Sequence, residues 1–102
     1  MQKLIENKKE ELSAICKALK IKRMDVFGSA AVGGFRQDSD IDILISFSDN
    51  LSIEEYSDNY FELHYKLREL FNREIDVVTE RSLSNPYFIK SINATKELIY
   101  EG

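Results

Sequence analysis

From Ile53 to Leu70 an apolar residue recurs at alternate spacings of three and four (Ile53, Tyr56, Tyr60, Leu63, Leu67, Leu70). On a helix of about 3.6 residues per turn these side chains gather into one stripe, which must find an apolar surface to cover. Two short β-branched runs bracket the segment, Ile41 to Phe47 and Glu74 to Thr79, and both read as strands. Ser48-Asp49-Asn50 is a polar stretch that ends the first of them. A long helix with one apolar face between two strands predicts a layered fold, helix on sheet.

The rest of the chain supplies further layers. Ile5, Leu12, Ile15, Cys16 and Leu19 share one face of a helix predicted over Gln2 to Leu19, with Lys8, Lys9, Glu10 and Lys17 elsewhere. Met24 to Phe27 reads as a short strand ending at Gly28. Ser29 is suited to cap a brief helix over Ser29 to Val32, ahead of the flexible Gly33-Gly34 pair. Asn85 followed by Pro86 is a cap and first-turn pair for a helix carrying Phe88, Ile89 and Ile92. Leu98 to Tyr100 is expected as a last short strand. The order predicts an α/β (α+β) fold, a small mixed β-sheet flanked by helices. With 102 residues, 43% of them hydrophobic, one Pro and four Gly, residues 1–102 are expected to form one ordered domain.

Fourteen Lys and Arg against eighteen Asp and Glu leave a net charge of −4. That balance argues against long nucleic acid as a partner, because non-specific binding to a phosphate backbone needs net positive charge. The single cysteine, Cys16, cannot form an internal disulfide and reads as a small core residue. There is no secretory signal and no apolar run of about 20 residues, so a cytoplasmic protein without a membrane span is expected.

Chemistry concentrates in the acids. In a strand Asp40 and Asp42 project to the same side, roughly 7 Å apart at ~3.3 Å rise per residue, while Ile41, Ile43 and Ile45 take the core side. Asp76 lies between Ile75 and Val77-Val78, where a buried carboxylate needs a compensating cation. The same residue on an edge strand would simply face water. Carboxylates in this arrangement suit Mg²⁺, a hard cation that binds through one or two carboxylates plus substrate phosphates and water. Gly28-Ser29, at a strand end opening a helical turn, offers backbone N–H groups and a hydroxyl to phosphate oxygens, but Gly-Ser is also a common turn dipeptide, and taken alone the pair reads better as a structural turn. The Walker pattern is not met: Gly28 and Gly33 have its spacing, but Gly34-Phe35 stands where Lys-Ser/Thr is needed. His64 is one place off the helix stripe, without a second His or Cys nearby, and is read as a surface or boundary residue with no metal role. Tyr56, Tyr60, Phe61, Tyr65 and Phe71 are core at helical spacing, and Phe61 and Tyr65 widen the stripe towards a partner surface.

Val26-Phe27-Gly28-Ser29, then Asp38-Ser39-Asp40-Ile41-Asp42-Ile43-Leu44-Ile45, then Glu74-Ile75-Asp76-Val77-Val78, together resemble the minimal nucleotidyltransferases of the DNA polymerase beta-like superfamily. The likeness spans most of the chain and implies the polymerase beta-like nucleotidyltransferase fold. It implies that Asp40, Asp42 and Asp76 bind metal, two Mg²⁺ ions, and are catalytic, and that Gly28 and Ser29 touch the triphosphate. The implied reaction is transfer of a nucleoside monophosphate, commonly AMP from ATP, to a hydroxyl. For stand-alone members that hydroxyl can be a tyrosine of a helical HEPN toxin, which makes the nucleotidyltransferase its antitoxin. The chain departs from the resemblance after Gly28-Ser29, where Ala30, Ala31 and Val32 replace the expected arginines and leave Arg36 as a substitute. Two alternatives follow: a module that neutralises its partner by contact alone, and a transferase for small molecules such as antibiotics, whose cleft a homodimer would build.

Overall fold

The computed structural model describes residues 3–32 and 40–102. Its elements are α1 (Lys3–Glu6), α2 (Lys9–Ala18), β1 (Ile21–Phe27), α3 (Ser29–Val32), β2 (Ile41–Phe47), α4 (Ile53–Phe71), β3 (Ile75–Thr79), α5 (Pro86–Thr95) and β4 (Glu97–Glu101). A 3₁₀ turn over Glu80–Ser82 follows β3. The four strands form one mixed sheet in the order β3-β2-β1-β4. β1 is antiparallel to both β2 and β4, whereas β2 and β3 run parallel, with α4 as the crossover that a parallel pair requires.

One face of the sheet carries the main core. Ile41, Ile43 and Ile45 of β2 are buried there with Met24 and Val26 of β1, under Leu12 and Cys16 of α2 and Leu63 and Leu67 of α4. The α4 helix keeps its place through Ser52, whose hydroxyl accepts from the Glu55 N–H, and through Asn72, which closes the helix in the left-handed region at φ 51. On the opposite face Phe27 and Leu44 form a smaller cluster with Ile92 of α5. Asn85 caps α5 as expected, its side chain accepting from the Tyr87 and Phe88 N–H groups.

Two expectations need correction. The helix predicted over Gln2 to Leu19 is broken at Asn7 and Lys8, where the Lys8 N–H turns back to the Ile5 carbonyl at 3.0 Å. That tighter bond lets both Ile5 and Leu12 stay fully buried on either side of the turn. Strand β1 begins at Ile21 rather than Met24, because Ile21 pairs with Phe47 and extends the ladder to the far end of β2. No helix among the described residues is long and apolar enough to cross a membrane.

Candidate active site

Alternation along β2 sends Ile41, Ile43 and Ile45 to the main core and leaves Asp42 and Leu44 on the α5 face. Asp42 is directly opposite Phe27 of β1 and directly opposite Asp76 of β3. The ends of three strands therefore meet here: the C-terminal end of β1 and the N-terminal ends of β2 and β3.

Gly28 is what lets Asp42 occupy this position. Its φ of +71 is a left-handed conformation, and a Cβ there would lie 2.6 Å from the Asp42 Oδ2. The carboxylate thus rests against bare backbone at the β1–α3 turn. The Ala31 N–H donates to the Gly28 carbonyl at 3.0 Å, closing the first turn of α3 behind Ser29. The Gly28 N–H donates to the Thr95 hydroxyl at 3.0 Å, so this amide serves the structural turn and is not free for a phosphate. Thr95, 67 residues away, instead fixes the turn from the last residue of α5. Sequence reasoning missed this contact, which no local pattern announces.

Burial holds the Asp42 carboxyl above the ordinary carboxylate range, and the negative charges of Asp76 and Asp40 add to it. A hydrogen bond between the Asp42 and Asp76 carboxyls acts in the same direction. Asp42 and Asp76 are paired on neighbouring strands, so a proton or a metal cation beside them would relieve the repulsion of two ionised carboxylates. Asp76 itself is exposed on the edge strand, so the water-facing alternative describes it and no buried charge needs rescue. Asp40 is exposed immediately before β2. Among the described residues no three His, Cys, Asp or Glu side chains converge closely enough to hold an ion by themselves. The donor set fits Mg²⁺ in its usual form, a carboxylate pair that substrate oxygens and water complete.

The missing arginines have a structural reason. Ala30 and Ala31 are buried in the main core, where a cation would lose its hydration. Arg36, Asp38 and Ser39 lie outside the described residues. A second acid, not anticipated, is buried on the same face further along β1. Asp25 is only 2% exposed and receives a two-pronged ion pair from Arg23, Nε to Oδ2 at 3.1 Å and a terminal nitrogen to Oδ1 at 3.3 Å. Its signal was a lone acid in an apolar strand. His64 is half-buried on α4, and its Nε2 finds no hydrogen-bond partner among the described residues. Two clefts, of about 430 and 360 Å³, lie away from Asp42: one at the Ser48–Asp49 end of β2 and one between Arg23, Ser46 and α5.

Comparison with known proteins identifies the family of the chain. Residues 8–99 match the family described as "Nucleotidyltransferase domain". A relative from Methanocaldococcus jannaschii, named "Putative protein adenylyltransferase", is 38% identical over 81 residues, covering 79% of this chain and 77% of the relative. A solved structure described as that of a "putative minimal nucleotidyltransferase" superposes with a TM-score of 0.70 at 27% identity, covering 90% of this chain and 89% of that one. The fold also matches a chain in the structure of a tri-AMPylated Shewanella oneidensis HEPN toxin in complex with MNT antitoxin, with a TM-score of 0.66 at 19% identity, over 96% of this chain and 73% of that one. With a family match over nearly its whole length, the chain belongs to the nucleotidyltransferase domain family and is a nucleotidyltransferase.

Proposed function

We propose that this protein transfers AMP from ATP, with Mg²⁺, to a hydroxyl on a helical HEPN-type partner, a tyrosine hydroxyl by preference, and so acts as an antitoxin. The observation that carries this reading is the Asp42 carboxylate, seated on Gly28 and opposite Asp76 on the neighbouring strand. The name of the adenylyltransferase relative supports AMP as the group moved, and the likeness to the HEPN-bound antitoxin fold supports the partner.

In the reaction the acceptor oxygen bonds to the α-phosphorus of ATP while the bond from that phosphorus to the bridging oxygen breaks, and pyrophosphate leaves. Mg²⁺ would supply charge neutralisation on the phosphates and lower the pKa of the attacking hydroxyl. Asp42 and Asp40 would hold the metal and Asp76 would complete it. Asp76, exposed on the edge strand, would also orient the incoming hydroxyl and accept its proton. Ser29 and the turn at Gly28 would meet the triphosphate.

The test is transfer of label from α-labelled ATP to protein in source-cell lysate, comparing wild type with Asp42→Asn. Wild type should label a partner band, and the variant should lose about 10²-fold or more of that rate. Equal labelling by the two proteins would refute the mechanism. The burial of Ala30 and Ala31 favours one second reading, neutralisation by contact without transfer. That reading is supported if Asp42→Asn still silences the partner and no nucleotide gives label.

A further inference from the structure

The α5 face of the sheet presents an aromatic group beside the carboxylates that the reading above does not use. Phe27 is directly opposite Asp42 on the antiparallel ladder, so the two side chains stand together on one face, about 5 Å apart at the backbone. The ring of Phe88 meets that of Phe27 edge-on, with centroids 6.1 Å apart and planes at 74°. Phe88 nevertheless remains 42% exposed. Its backbone N–H is fixed by the Asn85 side chain at 3.3 Å, so the residue is held at both main chain and ring. A half-exposed phenyl ring restrained in this way is ready to receive a flat ligand without losing much conformational freedom.

The other aromatics cannot serve. Phe47, Tyr56, Tyr60 and Phe71 belong to the main core on the opposite face, and Tyr100 packs there as well. Phe61 and Tyr65 are exposed on α4, which covers that same opposite face. Among the described residues, the aromatic group next to Asp42 is Phe27 with Phe88, and Tyr87 adjoins it, 85% exposed.

We propose that Phe88 is the stacking platform for the nucleobase of the donor nucleotide, with the phosphates over Gly28 and Asp42 and the ribose spanning the interval to the ring. The inference rests on the nucleotidyl-transfer reading of the site. Stacking is tolerant of base identity because every base has a π-face, so Phe88 would strengthen purine nucleotides generally without choosing among them.

The experiment measures calorimetric affinity for Mg·ATP, Mg·GTP and inorganic tripolyphosphate on wild type, Phe88→Leu and Phe88→Trp, each checked for a cooperative melt. Phe88→Leu keeps apolar bulk and removes the ring. It should weaken both nucleotides by roughly 5- to 50-fold and leave tripolyphosphate unchanged. The chain contains no tryptophan, so Phe88→Trp creates a unique indole fluorophore. It should retain nucleotide affinity, and its emission should be quenched by ATP and untouched by tripolyphosphate. Wild-type affinity in Phe88→Leu, or equal loss of nucleotide and tripolyphosphate, would overturn the assignment and leave nucleotidyl transfer standing. A wild-type protein that bound none of the three ligands would remove the underlying reading and the platform with it.

Discussion

The contact between Gly28 and Asp42 joins conformation and chemistry at one atom. Any side chain at position 28 meets two separate obstacles: the left-handed φ of +71, and the Asp42 Oδ2 at 2.6 Å from its first carbon. The first obstacle alone costs an L-residue roughly 1–2 kcal/mol. Gly28→Ala should therefore lower unfolding free energy by at least that amount in denaturant titration. It should also reduce transfer by the folded fraction, since the carboxylate must move to make room. The steric part depends on Asp42 and the backbone part does not. In an Asp42→Ala background, Gly28→Ala should accordingly cost less, a coupling that a double-mutant cycle reads directly. An identical cost in both backgrounds would show that the carboxylate has space to move aside.

Strand β1 carries its charged residues in a way that distinguishes structural from superficial ion pairs. The Asp25 side chain is 3% exposed and depends on Arg23, whose side chain is 39% exposed and reaches Glu101 as well. Removing the arginine leaves a buried carboxylate without its partner, so Arg23→Ala should destabilise by about 2–4 kcal/mol. Lys20 and Glu55 make a closer contact, 2.8 Å, but both are about half exposed. Lys20→Ala should cost less than about 1 kcal/mol in the same denaturant titration. Comparable losses for the two variants would mean that Asp25 finds water or another donor. At this scale the elements with a strong internal period were legible: Ile41 to Phe47 by its branched side chains, α4 by its stripe, α5 by Asn85-Pro86. The break at Asn7 was not, because the apolar spacing runs through it undisturbed. The Thr95 hydroxyl under Gly28 was not either, since only tertiary packing brings the end of α5 to the end of β1.

Across the whole molecule, the sheet order places acids from separate strands side by side, and their mutual repulsion is a cost that the fold carries. Asp40, Asp42 and Asp76 were legible in the sequence as candidates, but only the parallel pairing of β2 with β3 shows that Asp42 and Asp76 are direct neighbours. The Asp42 carboxyl is held above its ordinary value by burial first and by Asp76 and Asp40 next. A carboxyl whose native pKa lies above its unfolded value binds its proton more tightly in the native chain. Its favourable contribution is complete below the unfolded value and is lost as pH rises through the native one. At neutral pH Asp42 is thus a burden on the metal-free protein, and Asp42→Asn should melt a few degrees higher than wild type. The gap should close as the pH falls to about 3, below the ordinary carboxylate value. A cation bound between the carboxylates opposes the same repulsion, so millimolar Mg²⁺ should raise the wild-type melting temperature and leave Asp42→Asn nearly unmoved. Melting curves over a pH series, with and without Mg²⁺, decide the matter. A variant less stable than wild type at pH 7, or an equal response to Mg²⁺ in both proteins, would show that Asp42 is not where the charge of this site is concentrated.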